Sequence, residues 1–297
     1  MAERSGAERR QNTALGAMLT MFAMLCFAGL DAITKWLVTD YAFTQLMWVR
    51  SILFCFFVWF VVRRQGLRAA FRSARPWLQV VRCVVVTIEG GVFVLAFRYL
   101  PLADTHAVAA TSPLIVILLG TLWLGERMTL ARSLAVAAGF AGVLLIVRPG
   151  FRNFDWPLLL PVAGAFLWAL YQVLTRLCSR KDSSETALVW LALVGVIATT
   201  LVGPIDWRWP TAAAWTLMLT TALIGGAGQY ALIRALDYAE AGAVQPYAYS
   251  LLVWASLLGF LVFGQMPDAW TIAGAIVVVL SGVYAWYRDR RDPAMSS

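Results

Sequence analysis

Nine side chains in this 297-residue chain have the chemistry to bind or move charge in an apolar setting: Asp31, Lys35, Arg50, Glu89, His106, Trp168, Gln172, Gln245 and Tyr249. Each sits within or at the end of a long apolar run. There an ionisable group costs about 2.5–3.5 kcal/mol on insertion scales, so it needs a partner or a function. Glu89 is the deepest, in Thr87-Ile88-Glu89-Gly90-Gly91, where small neighbours leave room beside the carboxylate. It has two readings: a hydrogen bond to a neighbouring helix, or a place in a watery cavity where it meets an ammonium group or exchanges a proton. Asp31 and Lys35 are four residues apart with the acid first, the favourable order for a salt bridge within one helix. Arg50 either snorkels to the interface or caps an acid such as Asp31. His106, the only histidine, is either a hydrogen-bonded structural residue or a proton carrier.

The elements that must position these groups come as two similar sets. Five long apolar runs lie between about Thr13 and Arg148, and five more between Pro157 and Tyr287. A shift of 139 residues superposes Ala96, Tyr99, Leu118, Leu119, Gly120, Leu122 and Gly125 on Ala235, Tyr238, Leu257, Leu258, Gly259, Leu261 and Gly264. A shift of 141 lays Phe27-Ala28 and Thr34-Lys35 on Trp168-Ala169 and Thr175-Arg176. An odd number of spans per copy makes the copies enter the bilayer in opposite senses. The expected fold is therefore an all-α polytopic membrane protein of ten transmembrane helices, arranged as a 5+5 inverted-topology repeat. The expected organisation is a tail at 1–12, a first repeat at 13–148, a connecting loop at 149–156, a second repeat at 157–287 and a tail at 288–297. The runs reach roughly 18–25 residues, enough to cross ~30 Å of hydrocarbon as helices.

The repeat also sorts the polar groups. Asp31 answers to Gln172, Phe27 to Trp168 and His106 to Gln245. Trp168, Gln172 and Arg176 form one helical stripe, and an aromatic wall beside an amide suits a small zwitterion. On the ninth run Gln245, Tyr249 and Ser256 share one face, while Tyr247, Ser250 and Trp254 share the other. The pairing of His106 with Gln245 favours the first face as the pathway. Gly225, Gly226 and Gly228 mark either tight packing or a bending point, and Ala135/Gly139 and Ala138/Gly142 allow close helix approach.

Composition excludes much. Hydrophobic residues make up 61% of the chain and charged ones 13%. The net charge of +8 is a topology signal and does not point to nucleic acid. Of the 24 Lys and Arg, all but Lys35, Arg50, Arg98, Arg148, Arg152 and Arg208 fall on one side, which the positive-inside rule makes cytoplasmic, together with both termini. The expected partners are the lipid bilayer and a small-molecule substrate, with a monomer expected and a dimer left open. No phosphate-binding loop, HExxH or GxSxG motif appears, and the four cysteines form no CxxC pair, so neither catalytic residues, metal ligands nor a cofactor are expected.

Several motifs, in order and spacing, resemble the EamA-type members of the drug/metabolite transporter superfamily. They are Lys35, Trp48-Val49-Arg50, Tyr99-Leu100-Pro101 with Ala103, Pro113, Leu124-Gly125-Glu126-Arg127, and the glycine-containing stretch from Gly139 to Pro149. The second half departs at Gly264-Gln265-Met266-Pro267, which lacks the acid after glycine. The resemblance implies a central cavity ringed by spans one to four and six to nine, with five and ten as supports. It also implies an inner-membrane secondary transporter that exports amino acids or related metabolites by alternating access, with similarity to the YddG-like aromatic amino-acid exporters. The rival readings are efflux of lipophilic cations and, more remotely, an intramembrane lipid-modifying enzyme.

Overall fold

A computed structural model describes residues 13–63, 71–124, 130–147, 156–179, 181–238 and 246–291. Among them the regular structure is helical: α1 Thr13–Leu37, α2 Phe43–Val62, α3 Pro76–Tyr99, α4 Leu102–Ala109, α5 Ser112–Leu124, α6 Leu130–Val147, α7 Leu159–Ser179, α8 Ser184–Thr200, α9 Ala212–Tyr238, α10 Ser250–Phe263 and α11 Ala269–Arg291, with a 3₁₀ turn at Trp156–Leu158. Seven helical stretches are long and apolar enough to cross a membrane, and Ser133–Val147 and Glu185–Thr200 are shorter apolar helices. With the 27-residue α9, helices occupy all ten expected spans. The chain is an all-α, multi-pass membrane protein.

Helix ends follow local chemistry. Pro76 opens α3, where its missing N–H costs nothing, and Ser183 caps α8 by accepting from the Thr186 N–H at 3.2 Å. Gly264 ends α10 at φ 64°, a left-handed conformation that suits glycine, and the Gln265 N–H closes back on the Gly259 carbonyl at 3.1 Å.

The fourth span, read as one run from the sequence, is two helices. Pro113 cannot donate to a carbonyl four residues back, and it disfavours helical geometry at Ser112. The chain breaks at Ala110–Thr111, with the Thr111 N–H on Val108 O at 3.1 Å and its hydroxyl on the same carbonyl at 2.7 Å. Span nine breaks at Tyr249, between a turn of helix at 246–248 and α10, with Leu252 N–H on Tyr249 O at 3.1 Å. The 139-residue shift carries Ala110 onto Tyr249, so the two breaks are repeat equivalents.

Packing is its own image when the halves are exchanged. α1 lies on α9 as α7 lies on α3; α1 meets α10 as α7 meets α4 and α5; α2 meets α9 as α8 meets α3. The pairs α2–α8, α6–α11 and α4–α10 map onto themselves. These interfaces join one repeat to the other, so neither half forms a separate bundle. Glycines make the close approaches. A Cβ on Gly225 would lie 2.5 Å from Leu30, one on Gly226 2.8 Å from Phe57, and one on Gly228 2.9 Å from Cys26. The glycine cluster of α9 is thus a packing surface within a continuous helix.

Two ties hold the ends. Where the α2–α3 and α7–α8 connections meet, Asp182 accepts from Ser73 Oγ at 2.5 Å, Ala74 N at 2.7 Å and Gln79 Nε2 at 2.8 Å. Where the α1–α2 and α8–α9 connections meet, the fully buried Gln45 donates to Arg208 O at 2.6 Å and accepts from Arg208 N at 3.0 Å.

Candidate substrate pathway

Four ionisable residues of the first repeat, Asp31, Arg50, Glu89 and His106, come near one another. Asp31 from α1 brings Oδ2 to 3.2 Å from His106 Nε2 on α4. His106 is only 4% exposed, and Phe93 and Phe97 of α3 flank its ring at centroid distances of 6.0 and 5.8 Å. Arg50 reaches in from α2 beneath α3. Its Nη2 lies 3.0 Å from Met47 Sδ, and a Cβ added at Gly90 would stand 3.0 Å from the same nitrogen. Gly90 therefore provides the space that the guanidinium occupies. Arg50 interacts electrostatically with both Asp31 and Glu89, whose own charges repel each other. A small cavity beside this group is lined by Thr34, Met47, Arg50, Val94, Met218 and Thr221.

The helical pair expected between Asp31 and Lys35 does not form. Lys35 Nζ donates to Phe97 O at 2.8 Å and Leu100 O at 2.5 Å, with Asp104 supplying an opposite charge nearby. The carbonyls at the end of α3, beyond the reach of the helix's own N–H groups, carry partial negative charge, and they offer the ammonium a better seat than the carboxylate one turn back. Asp31 turns instead to His106.

The second repeat contributes a less charged wall. Gly164 packs on Phe93 (a Cβ there would lie 2.5 Å from the ring), while Arg82 stacks on Tyr171 at 5.5 Å and reaches Thr175 Oγ1 at 3.4 Å. These contacts run α7 antiparallel to α3 and bring Trp168 level with Glu89. Trp168 is half-buried and tilts onto Tyr171 at 5.3 Å; Gln172 is half-buried one residue further along. Gln245 lies outside the described residues. Tyr249, expected on the pathway, turns the other way: its hydroxyl presses on Gly282 of α11. The opposite face of span nine looks inward, with Trp254 and Leu251 packed against Ala23 and Met24 of α1 and Ala231 of α9. This reverses the expected face. Tyr249 sits at the break, beside the support helix.

Two residues went unremarked in the sequence, and a third does more than its place at the membrane edge suggested. Phe93 and Phe97 are four apart on α3, a spacing that any buried helix shows, so only the fold reveals their service to His106. Arg82, counted among the basic residues at the membrane edge, is 1% exposed and donates to Ala187 O at 2.9 Å, clamping α3 to α8 as well as α7. Outside the spans, burial tends to raise the Asp182 carboxyl's proton affinity. Bonds from Ser73, Gln79 and Ala74 and the field of Arg82 outweigh that and hold it below the usual carboxylate range.

A doubled helical bundle with ionisable side chains gathered among its membrane-spanning helices is the layout of a small-molecule membrane transporter. The profile of the EamA-like transporter family matches residues 14–148 and again 155–286, and the chain belongs to that family. It is 31% identical to a riboflavin transporter of Rhizobium johnstonii, over 98% of this chain and 97% of that protein. It is 28% identical to the pseudopaline exporter CntI of Pseudomonas aeruginosa, over 90% and 94%. A solved crystal structure superposes with a TM-score of 0.66 at 19% identity, covering 94% of this chain and 98% of its own, and shows the shared fold.

Proposed function

We propose that this protein is a secondary transporter of the inner membrane that moves a small polar metabolite by alternating access, with riboflavin the first substrate to test. The observation that carries this reading is the cluster of Asp31, Arg50, Glu89 and His106 at the level where the fourth span breaks. Interrupted helices in inverted-repeat transporters expose backbone groups to a mid-membrane substrate. A flavin matches the chemistry available: a planar ring for Trp168 and the phenylalanines, and donor and acceptor edges for Arg50 and the carboxylates. The similarity to a riboflavin transporter over nearly the full length supports the same choice.

A second reading rests on Arg50 interacting electrostatically with two carboxylates. That arrangement suits an amino-acid head group, its carboxylate on Arg50 and its ammonium on Glu89. The experiment is counterflow of labelled riboflavin into proteoliposomes carrying the full chain, beside a panel of aromatic and aliphatic amino acids. Saturable riboflavin exchange that Glu89→Gln abolishes without loss of folded protein is the expected result. Exchange of amino acids alone would replace riboflavin with the second reading. Exchange of neither by folded protein would refute both.

A further inference from the structure

We propose that Ser250 and Trp254 of α10 form a neutral hydrogen-bonding subsite for the polyhydroxylated side chain of the substrate; the inference deepens the riboflavin reading above and rests on it. Span nine carries polar groups on two faces, and the fold sets Tyr249 against α11. The inward face holds Ser250 and Trp254, four residues and one helical turn apart, a spacing that puts Cβ atoms about 5–6 Å from each other. Ser250 Oγ and Trp254 Nε1 are both shut off from solvent, and neither has a hydrogen-bond partner among the described residues. A buried polar atom left without a partner is destabilising, so two of them on one face call for a ligand that completes them.

In the first repeat the same two positions are closed. The 139-residue shift carries Thr111 onto Ser250 and Ile115 onto Trp254. The Thr111 hydroxyl is committed to its own chain, donating to Val108 O at 2.7 Å, and Ile115 clusters with Ala165, Ala169 and Val173 of α7. At the second break the hydroxyl stays off the chain, and an indole N–H stands where the first repeat has an aliphatic side chain. The two copies share a backbone plan, so this difference comes from the side chains alone and leaves polar groups open on the α10 wall.

The position suits a substrate tail. Trp254 clusters with Ala23, Met24 and Phe27 of α1 and Ala231 of α9, which places the subsite at the α1–α9–α10 junction. Asp31 lies one turn beyond Phe27 on the same face of α1, where it meets His106, so the subsite adjoins the ionisable residues of the first repeat. The indole N–H only donates, while the serine hydroxyl both donates and accepts. Hydroxyls of a polyol offer donor and acceptor alike, so one sugar-alcohol chain satisfies both groups without adding charge. Riboflavin carries such a chain, the ribityl group, on its flat ring.

The test is counterflow of labelled riboflavin into proteoliposomes carrying the full chain, competed by unlabelled riboflavin or by lumiflavin, which has the same ring system with a methyl group in place of the ribityl chain. Wild type is expected to prefer riboflavin by at least about tenfold, since groups that bond a substrate hydroxyl are left unpaired by an analogue without one. Ser250→Ala and Trp254→Phe should each lower that preference by about three- to tenfold, and Ser250→Thr, which keeps a hydroxyl, should hold it. Equal competition by the two flavins in wild type, or variants that weaken both flavins alike, overturns the subsite and leaves the riboflavin reading standing. Should Trp254→Phe fail to fold, the wild-type preference and the two Ser250 variants decide. Absent riboflavin counterflow by folded wild type overturns the riboflavin reading and the subsite with it.

Discussion

Replacing Gly142 of α6 or Gly274 of α11 by alanine tests the interface of the two support helices. A Cβ on Gly142 would stand 2.8 Å from the Gly274 carbonyl oxygen and 2.8 Å from Val278 Cγ2; one on Gly274 would stand 2.6 Å from the Gly142 carbonyl oxygen and 2.6 Å from Ile146. Ordinary carbon–oxygen contacts in packed helices lie near 3.3–3.6 Å, so about half an ångström or more must be found. Backbone cannot swing aside as a side chain can, so the helices must separate. A radial gap of roughly 0.5–1 Å forfeits a quarter to a half of the dispersion well for each facing pair, including Val143, Ile146, Ala275 and Val278. Overpacking of this kind costs about 1–3 kcal/mol, against a helix-propensity gain of up to about 1 kcal/mol for alanine over glycine. The net expectation is destabilisation of about 1–2 kcal/mol for each single variant. The pair should cost less than the sum, because the first substitution already opens the gap that the second needs. Gly91, where an added Cβ meets nothing within 4 Å, is the matched control and should be neutral or slightly stabilised. Denaturant unfolding in detergent, followed by tryptophan fluorescence, reads wild type and all four variants. Equal stability of Gly142→Ala and Gly91→Ala, or strict additivity in the cycle, would refute the close approach.

Three further outcomes are expected. Gly90→Ala puts a methyl 3.0 Å from the Arg50 guanidinium and 3.1 Å from Met47 Cε, both flexible ends that can yield, so transport should fall tenfold or more while unfolding changes by under ~1 kcal/mol. Trp168→Ala should weaken substrate by about 0.5–1.5 kcal/mol, or up to roughly tenfold in the half-saturating concentration, with Trp168→Phe largely restoring it. Asp182→Ala removes the acceptor of three hydrogen bonds at the α2–α3 corner and should cost about 1–3 kcal/mol. Its proton affinity is lowered by folding. The stability it contributes is thus full above the unfolded carboxyl value of about 3.9 and disappears as pH falls through the lower folded value. Wild type and Asp182→Ala should therefore differ equally at pH 6 and 8 and converge only in acid.

Much of the architecture was legible because membrane insertion reads simple quantities along the chain. Apolar length set the helices, and the 139-residue echo announced the exchange symmetry that α1–α9 and α3–α7 display. Glu89, Arg50 and His106 stood out because charge in an apolar run is costly wherever the helix ends up. The break at Ala110–Thr111 was foreshadowed by Pro113 but was passed over, since a continuous apolar run masks a local change of hydrogen bonding.

Partner choice was beyond a linear reading. Asp31 and Lys35 satisfy the spacing rule for an intrahelical pair, yet α3 ends beside Lys35 and α4 brings His106 to Asp31, and both alternatives come from residues more than sixty positions away. Which face of span nine looks inward was equally hidden, because an all-round apolar helix has no stripe to reveal its orientation, and only the fold sets Tyr249 against Gly282. Spacing within a helix determined which groups were available, and the tertiary structure decided their partners, because the energy of a buried charge depends on the nearest opposite charge or carbonyl, whichever helix supplies it.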